Sequence, residues 1–225
     1  LRADSIPEKD WDTAGAWRPS ANVHGSPGQN DPAAPLIPAI RINEALTHTD
    51  LPQLDAVELY NPTDASVGIG NWYLSDDRSD PKKFRIPPGT TLAPGGYRVF
   101  DESDFNLPAS GDRAFRLNAL GDQVWLFAAD SVGTILPYSH GFDFGGSFNG
   151  VSFGRWVAST GEEQFVSEVR LTLGSANAGP KIGPLIISEV MYHPPDLIAG
   201  TNRLDDVANE FIELQNISNQ SVKLF

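Results

Sequence analysis

Asp55-Ala-Val-Glu-Leu-Tyr-Asn61 decides the reading of this chain, because it alternates and because it is said twice. Val57 and Leu59 fall on one face of an extended segment while Glu58 and Tyr60 fall on the other, the period of a half-buried strand. Arg41-Ile-Asn-Glu44 precedes it, and the pair returns as Ile187-Ser-Glu189 followed by Asn209-Glu-Phe-Ile-Glu-Leu-Gln-Asn216. Glu44 and Glu189 are 145 positions apart and Glu58 and Glu213 are 155 apart, so the later copy carries the longer loop. The preceding junctions are also alike, Gly25-Ser26-Pro27-Gly28-Gln29-Asn30 before the first and Gly174-Ser175-Ala176-Asn177 before the second. Solenoid repeats recur every 20 to 50 residues or so. A repeat this long describes beads on a string: the end of one module, one whole module and the opening of the next.

Outward from that stretch the signals stay those of short strands. Asn61-Pro62-Thr63-Asp64 ends the first, since Pro has no ladder donor and Asn and Asp side chains close turns. Alternating or short apolar runs follow at 71–74, 84–86, 97–100, 114–117, 123–128 and 151–157. Turn residues separate them at Pro87-Pro-Gly89, Pro94-Gly-Gly96, Leu120-Gly-Asp122 and Asn149-Gly150, the last a candidate type I′ hairpin between arms at 142–148 and 151–156. Seven to nine strands at this spacing predict an antiparallel sandwich or barrel. No segment holds a helical period, and residues 202–209 offer one turn at most.

Composition bounds the function. The 225 residues are 40% hydrophobic and 10% aromatic, enough for a core. A net charge of −13 without a basic stripe repels phosphate backbones and argues against nucleic acid as a partner. The absence of Cys removes disulfides and thiol chemistry. No apolar run nears the roughly 20 residues that would span a bilayer, so no membrane insertion is expected. Residues 1–36 read as the last strand of an upstream module, with Trp11 and Trp17 as anchors, plus a Pro-stiffened linker.

The succession Ile42-Asn-Glu44, Val57-Glu-Leu-Tyr-Asn-Pro-Thr-Asp64, Val67-Gly-Ile-Gly-Asn-Trp-Tyr-Leu-Ser-Asp76, Phe84-Arg-Ile-Pro-Pro-Gly-Thr-Thr-Leu-Ala-Pro-Gly-Gly-Tyr97, Leu120-Gly-Asp122 and Gly150-Val-Ser-Phe-Gly-Arg155 resembles the lamin tail domain family, as found in multidomain bacterial surface proteins. The resemblance covers roughly residues 37–179, with 180–225 matching the opening of a truncated second copy. It implies an all-β, immunoglobulin-like antiparallel β-sandwich with no cofactor and no catalytic apparatus. It further implies a spacer and protein-binding role beside neighbouring domains in an extracellular or cell-envelope protein. The acidic charge and the lack of coiled-coil heptads depart from the lamin setting, so DNA binding is not carried over.

The motif residues Glu44, Glu58, Asn61, Trp72 and Arg155 are assigned structural work. Trp72 is expected to plug the core, making Trp72→Ala costly by roughly 3–5 kcal/mol. Glu44 and Glu58 lie on neighbouring strands, where each can accept from Arg155 or from main-chain donors. His48 and His193 occupy equivalent places, four residues after Glu44 and Glu189; on a strand that spacing parts the side chains by roughly 13 Å, which favours a loop-fixing histidine over a metal ligand. The acidic turns at Asp76, Asp77 and Asp80, at Asp101 and Asp104, and at Asp205-Asp206 are the calcium candidates, though none follows an EF-hand loop. Ser139-His140 lacks a nucleophile elbow, since adjacent strand residues face opposite ways. The glycines of 141–154 lack the Lys and helix of a phosphate loop. Tyr60, Tyr73, Tyr138, Phe142, Phe148 and Trp156 would have to form one exposed strip to bind polysaccharide. The alternative to a spacer is therefore a carbohydrate- or calcium-binding accessory module.

Overall fold

The computed structural model describes residues 7, 9, 11–12, 20, 25–30 and 36–224, and the chain divides into two compact units, Leu1–Pro180 and Lys181–Phe225. The terminal strand expected of an upstream module, with Trp17, lies outside the described residues.

In the first unit the chain runs β1 (Arg41–Leu46), β2 (Ala56–Tyr60), β3 (Val67–Gly68), β4 (Tyr73–Ser75), β5 (Phe84–Arg85), β6 (Thr91–Leu92), β7 (Tyr97–Asp101), α1 (Glu102–Phe105), β8 (Gly121–Ala129), β9 (Ile135–Gly145), β10 (Ser152–Val157) and β11 (Glu163–Ser167). Two main antiparallel sheets result, one in the order β11-β10-β1-β2-β7 and the other β5-β4-β8-β9, with β3 and β6 as a separate ribbon. Their facing side chains are the alternate apolar residues of each strand. Val57, Leu59 and Phe100 come from the first sheet, Leu74, Val124, Leu126 and Phe142 from the second, all in one buried cluster with Trp72. The fold is thus the all-β sandwich that the alternation predicts. Trp125 and Phe127, on the other face of β8, join Tyr73, Ala129 and Ile135 in a small cluster of their own.

Two local expectations are corrected. Residues 114–117 form no strand, because their backbone is spent locally: Ala114 N–H donates to Gly111 O and Phe115 N–H to Phe105 O. Phe115 instead stacks on Phe105 at 4.5 Å between ring centres. Asn149-Gly150 makes a turn but not a hairpin, since β9 pairs with β8 and β10 with β1, in different sheets. Only Gly150 of the two has a positive φ, at 72°, so the type I′ geometry is absent. Asn149 donates to Asp50 and Gly150 N–H to His48 O, so the turn is tied to the β1–β2 loop.

The second unit contains β12 (Leu185–Met191), β13 (Leu197–Ala199), β14 (Asn202–Leu204) and β15 (Phe211–Asn216), with β12 paired to β15 and β13 to β14. The β12–β15 register reproduces that of β1–β2. Ile187 faces Leu214 and Glu189 faces Glu213 across an irregularity between 187 and 189. Ile42 faces Leu59 and Glu44 faces Glu58 across one between 42 and 44. The turn after each second strand is also shared. Asn61 Nδ2 donates to Ala65 O while its Oδ1 accepts from Thr63 N–H, and Asn216 does the same with Gln220 and Ser218. The extra length of the second loop is the β13–β14 hairpin.

Candidate functional site

The β-bulge in β1 sets up the most unusual chemistry of the molecule. Ile42 and Ala45 both point into the core, so the two residues between them, Asn43 and Glu44, are turned to the opposite face of the sheet. Glu58, between the core residues Val57 and Leu59, faces the same way and stands across from Glu44. Gly154 of β10 is the other cross-strand neighbour of Glu44. This face would be solvent-exposed in a bare sandwich. Instead Glu44 and Glu58 are 0% exposed and Glu168 is 2% exposed.

The segment after β11 seals them. Glu168 N–H donates to Ser152 O and Val169 N–H to Gly179 O, so residues 168–180 loop across the sheet. Glu44 accepts from Thr172 N–H at 3.0 Å, Thr172 Oγ1 at 2.8 Å and Ser152 Oγ at 2.5 Å. Glu58 accepts from Asn43 Nδ2 at 2.8 Å and from Gly174 N–H. Glu168 accepts from Gly179 N–H at 2.7 Å. Asn177 completes the clasp, accepting from Asn43 Nδ2 and donating to the carbonyls of Asn43 and Arg155.

Burial raises the proton affinity of Glu58 and of Glu168. Desolvation pushes Glu58 up to about 7 against the bonds from Gly174 and Asn43, with the negative charge of Glu44 adding to the rise. Glu168 is pushed up for the same first reason, again with Glu44 contributing. One oxygen of Glu168, Oε1, is buried without a hydrogen-bond partner. These bonds close over the carboxylates and fasten residues 168–179 to the sheet as a latch does.

A second polar group joins the sheets. His140 of β9 accepts from Ile42 N–H at Nδ1, 2.9 Å, which places its proton on Nε2, 3.0 Å from Glu163. Arg41 and Arg155 flank the same glutamate at 3.6 and 3.2 Å. Burial holds His140 below its usual range despite the pull of Glu163.

The sequence-derived residues fall as follows. Trp72 is buried against Tyr138, and Asn61 closes its turn while also donating to Ala93 O. Arg155 does not serve Glu44 or Glu58: its guanidinium pairs with Glu163 and lies over the ring of Tyr60, and only its carbonyl meets the clasp. His48 fixes a loop by its contact with Ser147 O at 2.8 Å. The calcium candidates Asp76, Asp77, Asp80, Asp101 and Asp104 are each engaged locally and do not converge. Asp76 pairs with Lys83, Asp77 caps Ser79, Asp80 pairs with Arg113, and Asp101 with Asp104 forms the capping box of α1. Tyr73 and Phe142 are buried and Tyr60 stacks on Tyr97, which breaks up the aromatic strip a polysaccharide would need. Gly174–Asn177 sit on the sheet of their own unit, in the clasp. Sequence reasoning missed Thr172 and Glu168 and weighed His140 only as a base beside Ser139; the one available signal was the pair of glutamates facing each other on a strand pair.

No helix among the described residues is long and apolar enough to cross a membrane. Among curated proteins and solved structures nothing matches the chain. The sequence model of the Lamin Tail Domain family matches residues 33–140, a stretch that includes β1 to β8 of the sandwich.

Proposed function

We propose that this chain is a non-catalytic structural and interaction module, arrayed in tandem in a large extracellular or cell-envelope bacterial protein, where it spaces and displays other domains. Residues 37–179 would be the complete module and 180–225 the opening of the next. The observation that carries this reading is the recurrence of the bulged, glutamate-paired hairpin, β1–β2 and again β12–β15, down to the same asparagine-closed turn. A repeated framework whose complete copy seals its paired carboxylates suits load and display rather than turnover. Its partners are neighbouring domains and other proteins, and the charge of −13 opposes polyanions.

The latch gives such a spacer its mechanics. Tension entering near Ile37 and leaving near Pro180 would load β1 and the segment clasped to it, so three buried carboxylate contacts must shear together before the sandwich opens. Single-molecule extension of a polypeptide containing this chain tests the idea. The expected trace has one cooperative rupture that releases about 500 Å of contour, at about 3.4 Å per residue, and a lower rupture force for Glu44→Ala. Smooth extension without a rupture would refute a load-bearing role.

A further inference from the structure

The longer loop of the second unit brings three metal-ligating side chains within reach of one another, whereas His48, Asp50 and Asp55 of its counterpart in the first unit are engaged separately. His193 and Asp196 lie just before β13 and Asp205 just after β14, so they close the base of the inserted hairpin from both arms. His193 Nε2 is 3.7 Å from Asp196 Oδ1 and 3.8 Å from Asp205 Oδ1. All three ligand atoms lie within 4.8 Å of one another, and no other such group of three occurs among the described residues. In the first unit the equivalent His48 is occupied by Ser147 O.

From this geometry we infer a zinc-type divalent cation site at His193, Asp196 and Asp205, a clip that fixes the β13–β14 hairpin. Tetrahedral bonds of about 2.0–2.1 Å put ligand atoms roughly 3.3 Å apart, so the observed spacings need only small side-chain rotations. The fourth position is open to water, because His193 and Asp196 border a shallow cleft walled by Pro194, Pro195 and Ile198. The two prolines between His193 and Asp196 fix their own φ angles, which lowers the entropy lost when both ligands are held. Arg203 stands 3.9 Å from the other oxygen of Asp196, Oδ2, leaving Oδ1 for the ion. A second observation points to a cation as well. Asp206, next in the chain to Asp205, is 5% exposed; its Oδ2 accepts from Asn209 while its Oδ1 is buried without a hydrogen-bond partner, an unmet acceptor one residue from a proposed ligand. One imidazole with two carboxylates selects a borderline metal such as zinc, whereas calcium prefers six to eight oxygens.

Isothermal titration of the 225-residue chain with zinc chloride, with calcium chloride as comparator, tests the site. One equivalent of zinc should bind, and His193→Ala and Asp205→Asn should each weaken it at least tenfold while leaving the metal-free melting temperature unchanged. Zinc should also slow amide exchange across 197–204 in the parent chain and not in either variant. Absence of saturable zinc binding, zinc binding that survives both variants, or tighter binding of calcium than of zinc would each overturn the inference.

Discussion

Glu168 fills the hollow that Gly154 leaves: a Cβ placed on Gly154 would stand 1.8 Å from Glu168 Oε1 and 2.5 Å from its Cδ. The glycine is required by contact and not by backbone angle, since its φ is not among the positive ones. Gly154→Ala should therefore expel the carboxylate and release Gly179, costing about 1–3 kcal/mol as an overpacked site does. Gly145, whose Cβ would meet nothing within 4 Å, supplies the control. Urea unfolding of the two alanine variants should separate them, and equal stabilities would show that the latch tolerates displacement of Glu168.

Glu44 and Glu189 come from corresponding places in the two hairpins, yet one is sealed and the other exposed. Glu44→Ala leaves the Thr172 amide and hydroxyl and the Ser152 hydroxyl without their acceptor, and each buried donor left alone costs about 1–3 kcal/mol. The expected loss is roughly 3 kcal/mol or more, with faster amide exchange at Thr172. Glu189→Ala should stay within about 0.5 kcal/mol, as surface changes do. A mild effect at Glu44 would mean that the terminal segment holds without it.

The contrast shows what could be read from residues alone. Strand alternation, the buried Trp72 and the turn at Asn61 follow from near neighbours in sequence, and those were legible. The clasp was not, because Thr172, Gly174 and Asn177 carry no period and meet partners 128, 116 and 134 positions away. Arg155 was the obvious cation for Glu44 and Glu58, but neutral donors satisfy them and the arginine goes to Glu163. At Asn149-Gly150 a strong local hairpin signal yields to tertiary structure, as the strands on either side belong to different sheets.

Glu58 should leave a signature in the pH dependence of stability. Its folded pKa stands at about 7 against an ordinary 4.5, so between those values the folded chain keeps a proton the unfolded chain has released. Stability from this group is then greatest at low pH and declines as pH rises from about 4.5 through about 7. Glu58→Gln, which cannot ionise, removes the slope. The stability of the parent minus that of the variant should fall by on the order of 2–3 kcal/mol between pH 5 and 8. Parallel profiles would show that Glu58 titrates normally.

His140 should act with the opposite sign. Its Nδ1 accepts from Ile42 N–H across the two sheets, and protonation would put a second donor there and break that bond. Glu163 favours the charged ring, while burial, with Arg41 and Arg155 nearby, opposes it and prevails. The folded pKa therefore lies below the ordinary 6.5, and the unfolded chain takes up the proton first as pH falls. Stability from His140 is present above about 6.5 and is lost progressively below it. His140→Gln abolishes the titration while keeping a side-chain acceptor within reach of β1. In urea unfolding the parent should lose stability relative to this variant between pH 6.5 and 5, whereas relative to Glu58→Gln it should gain over the same interval. Because the two slopes oppose each other, the unaltered chain can look indifferent to pH while both groups titrate, and only the pair of variants separates them. A His140→Gln profile that tracks the parent throughout would mean that the imidazole charges in place without losing its hold on Ile42.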